Sequence, residues 1–393
     1  MVTFNCSLFK NAFIKFYKGI FNVLGLLPKK DIIIFESYLG KQYSCNPRSI
    51  YEYVKEMHPE YKLYWSVDKR YKEKFKQNGI PYLERLSIKW LFLVPRAKFW
   101  ISNSRMPNWI TKPRNTLYLQ TWHGTPLKKL ALDIEEIRMP GTTTEAYKEN
   151  FIKETRKWDY LISPNSYSTR IFKKAFNYNG QILETGYPRN DLLINQNNDE
   201  TINSIKMKMG IPLDSKIIMY APTWRDDLYF SKGRYKFDLK MDIDEIRKKL
   251  GEEYIILFRM HYLVADTLNL TDYKGFAINV SQHDDIRELY LISDILITDY
   301  SSVFFDYLCL KRPIIFFTYD IKQYRDKLRG FYFDFEENAP GNLVVNTKEL
   351  IDEIIRIQKS NFEVQNNLLE FHKRFCRLED GNATTRVVTG LLR

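Results

Sequence analysis

The sequence predicts an α/β protein of two lobes, each a mostly parallel sheet flanked by helices, with a cleft between them. Three observations carry this expectation. The chain has 393 residues, too many for one ordinary domain. Short apolar runs alternate with helical patterns along it, the order that builds parallel sheets. A polar stretch, Asn195-Gln196-Asn197-Asn198-Asp199, interrupts this rhythm near the middle, and the rhythm then restarts.

The first thirty residues stand apart. They hold Lys10, Lys15, Lys18, Lys29 and Lys30 and no acid, while Phe9, Phe13, Phe16, Ile20, Leu24 and Leu27 recur at three- and four-residue steps. A basic amphipathic helix with a Phe-rich face suits an anionic membrane surface. A helix packed on the protein's own core is the alternative. Residues 31–194 form the first lobe, with strands expected at 32–36, 62–67, 99–102, 117–121, 160–163 and 181–184. Helices are expected at 47–57, 87–94, 145–155 and 166–176. A linker spans 195–212. The second lobe, 213–393, carries strands at 216–220, 254–258, 295–298 and 313–317. Its helices fall near 241–250, 284–291, 303–310 and 349–358, with further helices at the terminus. Ligands of such open sheets bind beyond the C-terminal ends of the strands.

Composition narrows the function. Hydrophobic residues at 44% and aromatic residues at 15% supply a large core, which excludes disorder as the dominant state. The net charge of +12 favours an anionic partner: nucleic acid, acidic lipid or a phosphate-rich substrate. Cys6, Cys45, Cys309 and Cys376 lack metal or disulfide spacing and read as reduced thiols. No apolar run reaches the roughly 18 residues of a spanning helix, and lysines break up any signal peptide. HExxH, P-loop and GxGxxG patterns are absent, so zinc hydrolase, Walker NTPase and dinucleotide oxidoreductase readings lack support.

Five short segments carry candidate chemistry. His123 lies in Gln120-Thr121-Trp122-His123-Gly124-Thr125-Pro126 after a strand, where an imidazole projects into the cleft as a base. Gly124 permits close approach, and Thr125-Pro126 reads as a helix start, so a capping histidine is the competing reading. Arg259 and His261 close the strand that begins at Tyr254, two residues apart on one side, as a phosphate clamp or a carbonyl-satisfied pair. Thr298-Asp299-Tyr300-Ser301-Ser302 places two hydroxyls at a helix N-terminus, fit for phosphate or for a plain cap. Tyr220-Ala221-Pro222-Thr223-Trp224-Arg225 offers Thr223 and Arg225 to phosphate, or is a structural turn. Thr185-Gly186-Tyr187-Pro188-Arg189-Asn190-Asp191 puts Arg189 beside the hinge. His58, His283 and His372 read as structural or loop residues.

In this order the segments resemble the CDP-glycerol glycerophosphotransferases of teichoic acid synthesis. Phe35-Glu36-Ser37, Gly40-Lys41-Gln42-Tyr43-Ser44, Leu328-Arg329-Gly330-Phe331-Tyr332 and Leu378-Glu379-Asp380-Gly381 extend the likeness from about Ile32 to the end. The resemblance implies a GT-B fold of two Rossmann-like lobes, with the CDP moiety held mainly by the second. It implies His123 and His261 as catalytic histidines. Donor contacts are implied for Arg189, Thr223, Arg259, Ser301 and Ser302, and more loosely for Asp334. The same motifs add Trp122, Gly124, Thr125, Pro126, Pro222, Arg225, Met260 and Asp299. The implied partners are CDP-glycerol, a lipid-linked polyprenyl-diphosphate disaccharide or glycerol-phosphate acceptor, and the cytoplasmic face of an anionic bacterial membrane. No metal, cofactor or nucleic acid is expected. The large N-terminal region common in polymerases of the family does not precede these motifs, which suggests a compact transferase adding one or a few units, with polymerisation the open alternative. A ribitol-phosphate transferase and a nucleotide-sugar glycosyltransferase are the rival enzyme readings.

Overall fold

The computed structural model describes residues 3–137, 141–223, 229–231, 234–235, 238–260, 268–325 and 330–392; side chains are described from residue 14 onward and not in 229–231 or 234–235. It begins with a helix, Thr3–Leu26. The first lobe then builds a seven-stranded parallel sheet from β1 (Lys30–Glu36), β2 (Lys62–Val67), β3 (Tyr82–Glu84), β4 (Ala97–Ser102), β5 (Leu117–Gln120), β6 (Tyr160–Ser163) and β7 (Gln181–Glu184), in the order β3-β2-β1-β4-β5-β6-β7. The second lobe follows with β8 (Lys216–Ala221), a small hairpin of β9 (Tyr229–Ser231) and β10 (Arg234–Tyr235), β11 (Tyr254–Phe258), β12 (Ala277–Asn279), β13 (Ile295–Thr298), β14 (Ile314–Phe317) and β15 (Asn342–Val344). Its sheet is six-stranded and runs β12-β11-β8-β13-β14-β15, again parallel. The fold is therefore GT-B-like, as the sequence led one to expect.

The sequence explains these strands. β1, β8, β11 and β14 are nearly continuous apolar runs, and their buried residues face helices on both sides of the sheet. In each sheet the winding direction reverses at a central pair, β1/β4 in the first and β8/β13 in the second. Crevices open at such reversals beyond the strand C-termini, and there the two lobes face each other.

Two parts of the expected organisation differ. The linker at 195–212 is largely a helix, Asp199–Lys208, whose Asn198 side chain accepts the Thr201 N–H at 2.9 Å as an N-cap. Its Ile205, with Ile211, enters the second-lobe core. The terminal helices also divide. Asn366–Phe375 packs in the second lobe, whereas Ala383–Leu391 returns to the first and places Val387, Val388 and Leu391 among Ile33, Tyr51 and Trp65.

The N-terminal helix is likewise divided in role. Tyr17 and Phe21 are buried and pack on Trp90, Trp100 and Trp109. Ile20 and Leu24 are half-buried against the same core. Phe16 (68% exposed), Val23 (63%) and Leu26 (84%) face outward with Leu27. The expected stripe is thus split: part of it is core, and its Phe16 and Leu27 belong to an apolar face left uncovered. No described helix is long and apolar enough to cross a membrane.

Candidate active site in the cleft

Strand β5 ends at Gln120, and the chain turns sharply because Trp122 adopts a left-handed backbone with φ 50°. Gln120 Oε1 accepts the Trp122 N–H at 2.9 Å, and Asn46 Nδ2 donates to the carbonyls of Thr121 and Trp122. The turn presents His123. Trp122 stacks on the imidazole with centroids 4.7 Å apart, and Tyr38 meets it edge-on at 5.7 Å. Nδ1 lies 3.0 Å from the Asn103 carbonyl oxygen. A carbonyl only accepts, so Nδ1 carries the proton and Nε2 keeps its lone pair.

His123 is accessible to water, yet it lies between two lobes that remove much of its solvation. That desolvation lowers its pKa to about 4, opposed by the Asn103 hydrogen bond and aided by the charges of Arg189 and Arg105. The ring is neutral at neutral pH. It can take a proton.

Gly124, next in the chain, is where the lobes touch. A Cβ there would stand 2.8 Å from Ser302 Oγ of the second lobe, so only glycine fits without displacement. Thr125 and Pro126 do not open a helix. The segment stays extended because Lys128 bridges Phe331, Lys129 N–H donates to the Gly330 carbonyl, and Tyr332 N–H donates to that of Leu127. Backbone groups that a helix would need are spent on pairing the two lobes. Thr125 and Pro126 are buried, and the Pro126 carbonyl accepts the Tyr167 hydroxyl at 2.8 Å.

The second-lobe wall comes from the ends of β8, β13 and β11. Asp299 Oδ1 accepts the N–H groups of Thr223, at 2.8 Å, and Tyr300, which ties the loops after β8 and β13 together. Pro222 and Thr223 are buried beside it. Ser301 and Ser302 are half-buried and lead into the helix Val303–Tyr307; Ser301 Oγ accepts the Val303 N–H at 3.4 Å, and the Ser302 side chain caps nothing. Arg259 reaches from the end of β11, but its Nη1 already donates to the carbonyls of Val280, Ser281 and His283 at 2.6–2.9 Å. Burial lowers its pKa. Met260 packs in the core, and its N–H donates to Ser281 Oγ. Asp334 is exposed and caps the helix Phe335–Asn338, with Oδ1 accepting from Glu336 and Glu337.

Arg189 is buried in the interface. Nη2 contacts both carboxylate oxygens of Asp306, at 2.9 and 2.8 Å, Nη1 lies 3.1 Å from Cys45 Sγ, and its own N–H donates to Asn46 Oδ1. Asp306 holds its pKa well above the ordinary arginine range against the desolvation that acts to lower it. Further inter-lobe contacts lie beside it: Arg48 to Asp285 at 2.9 Å, Arg287 to Ser49, and Lys74 to Asp284. Burial acts to raise the Asp285 pKa, yet Arg287 and Arg48 hold it at about 2.

His123, Gly124, Arg189 and Ser302 are thus brought together. Thr223, Asp299 and Met260 serve mainly to shape the wall, and Trp122 orients the histidine. Arg225 and His261 lie outside the described residues, as do Leu328 and Arg329. Sequence reasoning missed Asn46, Asn103, Cys45, Tyr38 and Asp306. A signal existed for Asp306, the lone acid in the apolar run Val303-Phe304-Phe305-Asp306-Tyr307, and for Asn103, directly after a strand. Among the described residues no group of three His, Cys, Asp or Glu side chains could hold a metal ion.

Comparison with known proteins shows the family of the chain. The family described as CDP-Glycerol:Poly(glycerophosphate) glycerophosphotransferase matches residues 20–393. A teichoic acid poly(glycerol phosphate) polymerase of Bacillus subtilis (strain 168) is 58% identical over 375 residues, 95% of this chain and 50% of that protein. The chain thus spans about half the length of that relative. The polymerase of the same name from Bacillus spizizenii is 54% identical, with 98% of each chain covered. The solved structure of the wall teichoic acid polymerase TagF superposes with a TM-score of 0.86 at 44% identity, covering 98% of this chain and 95% of the other.

Proposed function

Because this chain belongs to the CDP-glycerol:poly(glycerophosphate) glycerophosphotransferase family, we propose that it transfers glycerol phosphate from CDP-glycerol to the terminal hydroxyl of a lipid-linked teichoic acid precursor, releasing CMP. The observation that carries this reading is His123, neutral, with Nδ1 committed to the Asn103 carbonyl and Nε2 left as the acceptor. The acceptor hydroxyl gives its proton to Nε2 as its oxygen attacks the glycerol-bearing phosphorus, and the bond to CMP breaks. An alcohol is a poor nucleophile near neutral pH, which makes the base necessary. Ser302 stands across Gly124 with Ser301 beside it in the chain, where hydroxyl and backbone donors would meet the charge on the transferring phosphate. His261 would join them as the second histidine of the family's motifs.

The acceptor is a polyprenyl-diphosphate-linked disaccharide or a glycerol-phosphate chain end, worked on at the cytoplasmic membrane face. Phe16, Val23 and Leu26, exposed on a helix that also carries Lys15 and Lys18, support peripheral attachment to anionic lipid. Incubation with CDP-glycerol and a synthetic lipid-linked acceptor, followed by mass analysis, tests the reaction. CMP release with products heavier by whole glycerol-phosphate units is expected. Transfer from CDP-ribitol or a UDP-sugar in its place overturns the donor assignment.

A further inference from the structure

Strand β4 ends at Ser102, and the chain that leaves it, Asn103-Ser104-Arg105, runs along the first-lobe side of the cleft. This backbone is firmly held. The Ser104 carbonyl accepts from Ser102 Oγ, Tyr118 Oη and Gln120 Nε2 at 3.0–3.2 Å, and Asn103 supplies the carbonyl that orients His123. Arg105 follows directly. Its guanidinium lies 5.3 Å from the ring centre of Phe151 and 5.8 Å from that of Tyr147. Phe151 meets Trp122 at 6.4 Å, and Trp122 stacks on His123, so one aromatic shelf joins the arginine to the base. The positive charge of Arg105 is felt at the imidazole.

Among the described residues this guanidinium makes no hydrogen bond and no ion pair. The other arginines described around the cleft are engaged: Arg189 with Asp306, Arg48 and Arg287 with Asp285, and Arg259 with three carbonyls. The buried carboxylate of this wall, Glu154, is already satisfied by the Met106 N–H, the Tyr118 hydroxyl and Lys157. A guanidinium resting on ring faces keeps its N–H edges turned outward, oriented for a planar pair of bonds to an anion. Arg105 is half-buried, so such an anion can reach it.

We propose that Arg105 binds the phosphodiester of the acceptor that lies nearest the attacking hydroxyl, so that a chain end already carrying glycerol phosphate is preferred over a neutral one. This deepens the transfer reaction above and rests on it. The donor phosphates face the second lobe; Arg105 holds the opposite reactant on the first, beside the base that takes its proton.

The test uses the full chain, Arg105→Met and Arg105→Lys, with two short synthetic acceptors. One is a glycerol-phosphate oligomer; in the other the terminal phosphodiester is replaced by an uncharged methyl triester. Arg105→Met should lower kcat/KM for the charged acceptor roughly 10- to 100-fold, as loss of a charge-assisted bidentate contact implies, and leave the neutral one within about twofold. The KM for CDP-glycerol should not move, and Arg105→Lys should keep part of the preference. Equal losses on both acceptors, or a raised KM for CDP-glycerol, overturn the assignment. Calorimetric titration of the charged oligomer without donor gives a second readout. Equal binding by wild type and Arg105→Met rejects the site even if turnover is intact, whereas binding lost in the variant with no turnover in the wild type rejects the reaction and keeps the site. Thermal unfolding of each variant verifies that the fold is retained.

Discussion

Arg189 of the first lobe and Asp306 of the second form a buried ion pair at 2.8 Å, directly beneath the turn that carries His123. Each would be costly alone. Replacing Arg189 by Ala leaves the Asp306 carboxylate desolvated and unpaired, which should destabilise the closed form by about 3 kcal/mol. Urea unfolding of R189A measures the loss, and turnover should fall with it because the lobes no longer meet in register.

The pH dependence of His123 follows from its lowered pKa. In the free enzyme the group is neutral above about pH 4, so the acidic limb of kcat/KM should lie far below that of an ordinary histidine. Anionic phosphates bound nearby stabilise the imidazolium, and the limb of kcat should move to higher pH. His123→Ala should remove both limbs along with turnover, while CDP binding measured by calorimetry persists.

Glu379 is buried against the Tyr187 N–H, which its carboxylate oxygens accept at 3.1 and 3.3 Å, and desolvation raises its pKa to about 8. A carboxyl whose folded pKa exceeds its unfolded value contributes fully at low pH. That contribution is lost as pH rises through the window between the unfolded value, near 4.5, and about 8. Glu379→Gln should therefore flatten the fall in Tm between pH 5 and pH 8, with a gain on the order of 2 kcal/mol at the upper end.

At the contact between Gly124 and Ser302 the expectation is steric. Gly124→Ala places a methyl 2.8 Å from Ser302 Oγ, which must rotate away from it. Turnover should drop at least tenfold, a barrier change of about 1.4 kcal/mol, with the lobe separation unchanged in small-angle scattering. Ser302→Gly should lower turnover to a similar extent.

The exposed face of the first helix gives a prediction separate from catalysis. Phe16→Ser, Val23→Ser and Leu26→Ser together should weaken co-sedimentation with vesicles of anionic phospholipid. Tm should stay within a degree or two, since these side chains support no core. Undiminished vesicle binding by the triple variant would dismiss the membrane role of this face.

Much of the fold was legible. Continuous apolar runs marked ten strands, six in the first lobe and four in the second, each correct to within two residues at either end. The strands Tyr82–Glu84, Ala277–Asn279 and Asn342–Val344 were not, because edge strands of three residues carry no pattern of their own. The helix Asp199–Lys208 hid behind polar residues that look like a loop, although an asparagine cap followed by two acids is a helix start. At the site, histidine, glycine and serine at strand ends could be read locally. The partners that tune them could not: Asn103 reaches His123 across twenty positions, and Asp306 meets Arg189 across 117. Such pairings arise only when two sheets close on each other.

The return of the helix Ala383–Leu391 to the first lobe has a consequence for how the molecule is made. Val387, Val388 and Leu391 fill a hydrophobic layer whose other members were synthesised more than 300 positions earlier at Ile33, Tyr51 and Trp65. During translation that half must wait, its interior open on one side, while the whole second half emerges and folds. The hydrophobic layer of the first lobe therefore closes only after the second lobe, which lies between its parts in the chain, has been synthesised.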